Sequence, residues 1–244
     1  MKAEPADQAK LLDLQELDNH LAQVTKKAST LPEAVELEQL SQELSSAKDT
    51  QREALGAVDE LKAELKRSES DVELVEARIA KDTERLDQST SAKDAQGLEH
   101  ELGSLRERLS ALEEVELAVM EQLEAAEATL SGADQAVTEL ISRVEEATAA
   151  LTSARAALEE EFQNTSRQRA DLVATLPSDL VALYKRQRER YGFGASHLRR
   201  SISSASGVAL TESDLAEVRN AAPDDVVLCP DSNAILVRTG ESGL

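Results

Sequence analysis

The sequence predicts a mostly α-helical protein made of a long antiparallel coiled-coil hairpin and a small C-terminal α+β lobe. Two long stretches carry apolar residues at heptad spacing, which is the pattern of coiled coils. The polar stretch that separates them is so short that it joins antiparallel neighbours. The chain has two Phe, two Tyr and no Trp, so a large globular core is not expected. The regular apolar spacing argues against disorder, the other interpretation of so charged a chain.

The first helix is indicated by an apolar stripe at helical spacing. The stripe consists of Leu14, Leu17, Leu21, Val24, Ala28 and Leu31. Pro32 disfavours a helical conformation at the residue before it, and Thr30 with Glu33 predicts a capping box for a second helix. We therefore expect the first helix to end near Ser29, with a kink near residues 30–32.

The second helix carries a heptad frame over residues 37–86. One series of seam positions is Leu37, Leu44, Gln51, Val58, Leu65, Val72, Ile79 and Leu86, and the other is Leu40, Ala47, Ala54, Leu61, Ser68, Val75 and Asp82. Twelve of these 15 positions are apolar. At a rise of 1.5 Å per residue, the frame predicts a helical segment of about 75 Å.

The third helix carries a more regular frame over residues 98–158. One series is Leu98, Leu105, Leu112, Val119, Ala126, Ala133, Leu140, Ala147 and Ala154, and the other is Leu102, Leu109, Glu116, Leu123, Leu130, Val137, Val144, Leu151 and Leu158. Glu116 is the one polar residue in this seam. It could fix the register or bind a partner, as could Gln51, Ser68 and Asp82 in the facing seam. The favoured interpretation is that each stem packs while the polar end reaches solvent at the seam edge.

The hairpin tip is predicted near residues 88–96, where polar residues interrupt the heptad frame. Two separate intermolecular coiled coils are the alternative, but they would leave so short a connection unexplained. The tip is nearly neutral on an otherwise acidic rod. We therefore predict that it contributes to partner contact, through Ser89, Thr90, Ser91, Lys93 and Asp94.

The C-terminal lobe is predicted over residues 176–244, after a hairpin domain of residues 1–175. A short helix is expected from Leu180 to Arg190, capped by Ser178 or Thr175.

Further along the lobe, the sequence predicts one more helix and a β-hairpin. The helix is expected over Asp214–Ala221, capped by Thr211 or Ser213. The strands are expected at Val226–Leu228 and Ile235–Val237, on either side of a Pro- and Asn-containing turn.

Charge excludes several classes of partner. The net charge is −21, and residues 1–179 carry 19 basic and 40 acidic residues, whereas residues 180–244 carry eight of each. A long acidic rod repels nucleic acids and anionic membranes along most of its length. No apolar run approaches the roughly 18 residues of a membrane span, and the first residues do not form a secretory signal. With one cysteine there is no internal disulfide, and we expect a cytoplasmic protein without a membrane partner.

Catalysis has little support in the sequence. The three histidines, His20, His100 and His197, lie far apart along the chain. No nucleophile elbow, phosphate loop or paired-carboxylate motif occurs in a context that would form a pocket. We therefore expect no catalytic residues and no enzymatic activity.

A cluster of basic and aromatic residues follows the third helix. It consists of Tyr184, Lys185, Arg186, Arg188, Arg190, Tyr191, Phe193, Arg199 and Arg200. Such a combination could hold phosphates and stack on bases, or bind a protein partner. The favoured alternative is structural: the aromatic residues pack the lobe onto the helices, and the arginines pair with the acidic rod.

The arrangement resembles the bacterial C4-type zinc-ribbon proteins that have an N-terminal coiled-coil hairpin, and in particular their actinobacterial branch. The resemblance covers essentially the whole chain. It is carried by the tip with the start of the third helix, STSAKDAQGLEHELGSLRERLSALEEVELAVME over residues 89–121, and by the tail segments GFGASHLRR, LTESDL, VRNAAPDDVVLC and ILVRTGESGL. It implies a zinc-ribbon-like lobe.

The resemblance also implies two C-x2-C pairs of zinc ligands, but three of those four positions are serine here. The positions are Ser203, Ser206, Cys229 and Ser232. A serine hydroxyl is a poor zinc ligand because it is neither a thiolate nor readily ionised. We therefore expect no zinc and no other cofactor, and we interpret "SSASG" and "CPDSN" as relics of zinc-binding turns. Natural loss and laboratory replacement of the cysteines both remain open.

The resemblance implies binding rather than chemistry, because similar proteins act as adaptors or chaperones. The first hypothesis is a non-enzymatic, chaperone-like or adaptor scaffold that binds an unknown protein through its coiled-coil arm. The second is a nucleic-acid-binding regulator that uses the basic and aromatic cluster. We expect a monomer or a weak dimer.

Overall fold

The computed structural model describes residues 1–244, which form five helices and four short strands. The helices are α1 (Pro5–Ser29), α2 (Pro32–Asp87), α3 (Ala92–Ala174), α4 (Ser178–Tyr191) and α5 (Glu212–Asn220); the strands are β1 (Ala195–Arg199), β2 (Ile202–Ser203), β3 (Val227–Leu228) and β4 (Ile235–Val237). No helix has an apolar stretch that is long enough to cross a membrane. The predicted fold class, a long helical hairpin with a small C-terminal lobe, is confirmed.

The chain divides into two compact units. One unit, which we call the arm, comprises residues 33–149; the other, the base, comprises residues 1–32 and 150–244. This division differs from the expected boundary at residue 175. The reason is that α1 packs against β1 and β4 in the base. The end of α3 is joined to α1 there as well, by an ion pair between Arg169 and Asp18.

The arm is held together by the predicted heptad seams. Every seam position of residues 37–86, and every seam position of α3 inside the arm, is buried or half-buried, while nearly all other side chains are exposed. The polar contacts between the helices include Gln51 to Asp134 at 2.7 Å and Arg78 to Glu101 at 2.8 Å. As the residue number rises along α2, the number of the bonded residue in α3 falls. The two helices of the arm are therefore antiparallel and paired within one chain, as predicted.

The polar seam residues differ from one another in their surroundings. Glu116 is half-buried, as expected for a side chain at the edge of the seam. Asp82 is instead completely buried, and its carboxylate forms ion pairs with Arg78 at 2.6 Å and Arg85 at 3.0 Å. Ser68 is also buried, and its hydroxyl has no hydrogen-bond partner. The expectation that the polar end reaches solvent is therefore wrong for Asp82 and Ser68.

Two expected helix caps are wrong as well. α2 begins at Pro32, and the Thr30 hydroxyl does not cap it but donates to the Lys26 carbonyl at the end of α1. α4 has no side-chain cap, because Pro177 occupies the capping position and the Thr175 hydroxyl donates to the Leu172 carbonyl.

The cap predicted for α5 is present. The Thr211 hydroxyl accepts from the Asp214 backbone N–H, and the Asp214 side chain accepts from the Thr211 backbone N–H. This reciprocal capping box explains why the short helix begins at Glu212.

The base contains one four-stranded sheet in the order β2-β1-β4-β3. The predicted hairpin is confirmed as the antiparallel pair β3 and β4. Strands β1 and β2 were not predicted, and β1 lies parallel to β4, with Ala195 opposite Ile235 and His197 opposite Val237. The side chains of β4 are fully buried, so this strand forms the centre of the lobe.

Residues at both ends of the chain meet in the base. The Val226 N–H donates to the Met1 carbonyl at 3.0 Å, and the Ala3 N–H donates to the Asp224 carbonyl at 2.8 Å. The Lys2 ammonium lies 2.8 Å from the Asp224 carboxylate. The first residues of the chain therefore form part of the C-terminal lobe.

Candidate functional site

The hairpin tip is a short connection between two helix ends, formed by residues 88–91. The Ser91 hydroxyl accepts weakly from the Asp94 N–H at 3.4 Å, and the Ser89 hydroxyl donates to the Ser91 carbonyl at 3.3 Å. Thr90, Lys93 and Asp94 are exposed, and the side chains of Lys93 and Asp94 form no ion pair. The connection is thus shorter than the predicted tip, because Lys93 and Asp94 lie in the first turn of α3.

The basic and aromatic cluster is divided by the fold into buried and exposed members. Tyr184 is fully buried. Arg188 donates to the Asp18 carbonyl at 2.9 Å and to the Asn19 side chain at 3.1 Å. Burial keeps Tyr184 away from the surface, whereas the Arg188 side chain is 24% exposed and its guanidinium is bonded within the base. The structural alternative accounts for both.

The remaining cluster members are at the surface. Arg199 pairs with Glu241 at 2.7 Å, and the Arg190 guanidinium lies 5.9 Å from the centre of the Tyr191 ring. Phe193 is 37% exposed and Tyr191 46% exposed. The other exposed cations have no acidic partner within ion-pair distance; they are Lys185, Arg186 and Arg200. The exposed set is therefore smaller than the predicted cluster, but it keeps cations beside aromatic rings.

A buried pair of polar side chains lies where the resemblance implies metal ligands. Cys229 and Ser203 are both fully buried, and the thiol lies 3.4 Å from the Ser203 hydroxyl. The hydroxyls of Ser206 and Ser232 accept from backbone N–H groups of their own turns, at 3.3 and 3.4 Å. Asn233 has a φ of 56°, as the predicted turn requires. With one thiolate among four positions, these residues do not fit a structural zinc ion.

The Cys229 thiol is influenced by two opposing effects. Burial raises its pKa, but hydrogen bonding with the Ser203 and Ser232 side chains and with the backbone at Ser232 and Asp231 lowers it. Together the hydrogen bonds outweigh burial and lower the pKa below its ordinary value. In the structure the Cys229 thiol donates to the Ser203 hydroxyl at 3.4 Å.

A junction centred on Asp18 was missed by the sequence analysis. Asp18 is 7% exposed, and its carboxylate accepts from Arg169 at 2.5 Å and from the Tyr184 hydroxyl at 2.8 Å. Arg188 lies 3.5 Å from the same carboxylate. Asp18 follows Leu14 by one helical turn, so its position on the apolar face of α1 is the signal that could have found it.

The junction ties α1 to three other elements of the base. Arg169 lies on α3, Tyr184 and Arg188 lie on α4, and the Gln15 side chain accepts from the backbone N–H of Gly194 at 2.7 Å, just before β1. Burial and the bond to Asp18 raise the pKa of Tyr184, so its hydroxyl remains a donor. The hydrogen bond to Asp18 also raises the pKa of Arg169. We interpret this junction as the structural link that fixes the lobe on the helices.

Comparison with protein families identifies a coiled-coil hairpin domain. The sequence profile of the CT398-like coiled coil hairpin domain matches residues 14–192. The match covers both long helices, α4 and most of α1.

Similar proteins come from mycobacteria and from a more distant bacterium. The Mycobacterium tuberculosis (strain H37Rv) protein Rv2229c is 34% identical over 239 residues, which cover 98% of each chain. A solved structure from Mycobacterium smegmatis superposes with a TM-score of 0.82 at 33% identity, over 98% of this chain and 100% of that one. CT398 from Chlamydia trachomatis superposes with a TM-score of 0.62 at 18% identity, over 95% of this chain and 97% of that one, and shows the fold alone.

Proposed function

Because the chain belongs to the CT398-like coiled coil hairpin domain family, we propose that it is a non-enzymatic scaffold that binds a protein partner through its coiled-coil arm. The observation that carries this proposal is the arm itself. A single internal seam holds its two helices together, and nearly every other side chain of both helices is exposed. Because the seam is filled within one chain, the exposed faces and the tip are free for a partner. A cytoplasmic location is part of the proposal.

The tip provides a direct test of this function. Replacing Lys93 and Asp94 by alanine is expected to leave helicity and melting nearly unchanged, because both side chains are exposed and form no ion pair. Partner recovery should fall, because the tip loses its charged groups. The measurement is affinity capture from the native host, with each recovered protein quantified against the wild-type bait.

The matched control changes one cation and one anion elsewhere on the arm. Lys66→Ala/Glu69→Ala removes the same charges from α2, where both side chains are exposed and form no ion pair. Equal recovery with the tip variant and the wild type would show that residues 88–94 are a simple connection. A loss that both double variants share would indicate a general charge effect instead.

We also propose that the base folds without a structural metal ion. The support is the chemistry at the four implied positions, which offer one thiol and three hydroxyls, while the β4 strand and its neighbours provide a buried apolar core. The purified protein is expected to contain less than one zinc ion per chain by elemental analysis, and EDTA should leave its melting temperature unchanged. A structural zinc contributes about 10–16 kcal/mol to small domains, so a metal-dependent fold would lose its thermal transition in chelator.

Nucleic-acid binding by the base is a second candidate function, favoured by one observation. In a chain with a net charge of −21, Lys185, Arg186 and Arg200 are exposed without acidic partners, and Arg190 lies beside Tyr191. Single-stranded RNA binding measured by anisotropy should weaken steeply with salt, with a slope of about −0.7 per phosphate contacted.

Arg190→Ala/Arg200→Ala is expected to reduce that slope. Arg106→Ala/Arg108→Ala is the control, because it removes the same two positive charges from the arm. RNA affinity that responds equally to both pairs would exclude the cluster as the binding surface.

A further inference from the structure

One stretch of α3, between Arg108 and Arg143, carries acidic residues and no basic residue. Its acidic residues are Glu113, Glu114, Glu116, Glu121, Glu124, Glu127, Asp134 and Glu139. Glu127 pairs with Lys62 of α2 at 2.9 Å, and Asp134 accepts a hydrogen bond from Gln51. Glu113, Glu114, Glu121 and Glu124 are exposed and have no ion-pair partner.

Two exposed apolar side chains lie among these four carboxylates. Leu117 is 60% exposed and Met120 is 50% exposed. They are three residues apart and therefore adjacent on the helix surface. Neither belongs to the seam, which at this level is formed by Glu116, Val119 and Leu123. The pair thus contributes nothing to holding α2 against α3.

The carboxylates surround this apolar pair. Glu113 and Glu114 precede Leu117 by one helical turn, Glu121 follows it by one turn, and Glu124 follows Met120 by one turn. We call these six residues the α3 acidic face. Its anionic side chains repel one another, and exposed apolar surface beside them is left in water. A cationic partner with an apolar stripe would reduce the charge repulsion and cover the exposed apolar surface.

We propose that the α3 acidic face docks an amphipathic helix of a partner protein, whose apolar stripe covers Leu117 and Met120 and whose Lys or Arg residues pair with the glutamates. This inference rests on the scaffold function and names the class of partner. A helix fits because its side chains recur every three to four residues, as do those of the α3 acidic face. Anionic nucleic acids and anionic membranes do not fit, because the face would repel them.

The test uses the full-length protein and a defined probe. The probe is a fluorescein-labelled amphipathic helical peptide of Lys and Leu, and a second peptide of the same composition has Leu distributed around the whole helix. Anisotropy titrations at several salt concentrations are expected to show tighter binding of the amphipathic peptide. Leu117→Gln/Met120→Gln should weaken that binding about tenfold, as the loss of two apolar contacts predicts. Glu121→Gln/Glu124→Gln should weaken it and flatten its salt dependence.

Two control variants match these changes in chemistry but lie off the face. Val115→Gln replaces an apolar side chain that is 51% exposed on the other flank of α3. Glu73→Gln/Glu76→Gln removes two exposed carboxylates of α2 at the same spacing. Both should keep the wild-type dissociation constant within about twofold.

Several results would overturn the proposal. Unchanged binding by Leu117→Gln/Met120→Gln is one, and equal binding of the two peptides is another, because it would show general attraction between opposite charges. If the control variants weakened peptide binding as much as the variants of the α3 acidic face, the binding would likewise be general and not specific to that face. The capture experiment measures partner recovery and does not use these peptides. Failure of the scaffold function and failure of this docking surface therefore give different results.

Discussion

Replacing Asp18 by alanine is expected to lower the free energy of unfolding of the base by about 3–5 kcal/mol, the cost of breaking a buried ion pair from one side. The substitution leaves Arg169 and Arg188, whose side chains are about one-quarter exposed, without their carboxylate. It also leaves the buried Tyr184 hydroxyl without its acceptor. Because these groups lie on different helices, α1 should lose its polar contacts with both α3 and α4.

The tyrosines provide a signal specific to this unit. The chain has two Tyr and no Trp, and both tyrosines lie in the base. Near-ultraviolet circular dichroism during urea unfolding therefore reports on the base, whereas far-ultraviolet signal is dominated by the long helices. Asp13→Ala is the control, because it removes an exposed carboxylate from the same helix. Equal unfolding midpoints for the two variants would show that the Asp18 junction does not stabilise the base.

Gly194→Ala is expected to destabilise the base by about 1–3 kcal/mol or more, because an added methyl group would overpack it. A Cβ atom at this position would lie 2.4–2.8 Å from three atoms of the Tyr184 ring. That ring is fully buried and bonded to Asp18, so it has little freedom to move. The same backbone donates its N–H to Gln15, so a shift would also disturb that bond.

A double-mutant cycle separates the clash from other effects of the methyl group. In a Tyr184→Leu background the ring is absent, so Gly194→Ala should cost less, with a coupling energy of about 0.5–3 kcal/mol. Gly132→Ala is the control, because no atom lies within 4 Å of its added Cβ and it is within α3. It should stabilise the helix by about 0.5–1 kcal/mol. Additive costs for residues 184 and 194 would contradict the packing explanation.

The arm was predictable because its contacts follow a local repeat. Residues such as Leu40 and Val58 recur at heptad spacing, and this spacing alone decides which side of a helix is buried. The short polar tip then leaves one pairing, the antiparallel one. Asp82 departs from the rule because Arg78 and Arg85 on the same helix supply compensating charge at short range. A heptad assignment considers only whether each seam residue is apolar, and it does not include ion pairs with residues elsewhere on the same helix.

The base was less predictable because its contacts are remote in sequence. Strand β1 contains Ser196 and His197, which interrupt the apolar alternation, and it is stabilised by a parallel neighbour about forty residues away. Tyr184 was assigned to a binding cluster because its basic neighbours suggested one. Its burial depends on Asp18, which lies 166 residues away. The exposed cations and the tip residues needed no remote contact, and their surface positions could be anticipated.

The meeting of Met1 and Ala3 with residues 224–226 has a consequence for folding during synthesis. The arm is complete once residue 149 has left the ribosome, because its two helices pair with each other within residues 33–149. Helix α1 emerges before the arm, whereas its partners on α4, β1 and β4 emerge after it. Domains generally fold as units while the chain is made, so the arm can fold before the base is complete. Residues 1–3 thus reach their native contacts only after residues 224–226 have been made.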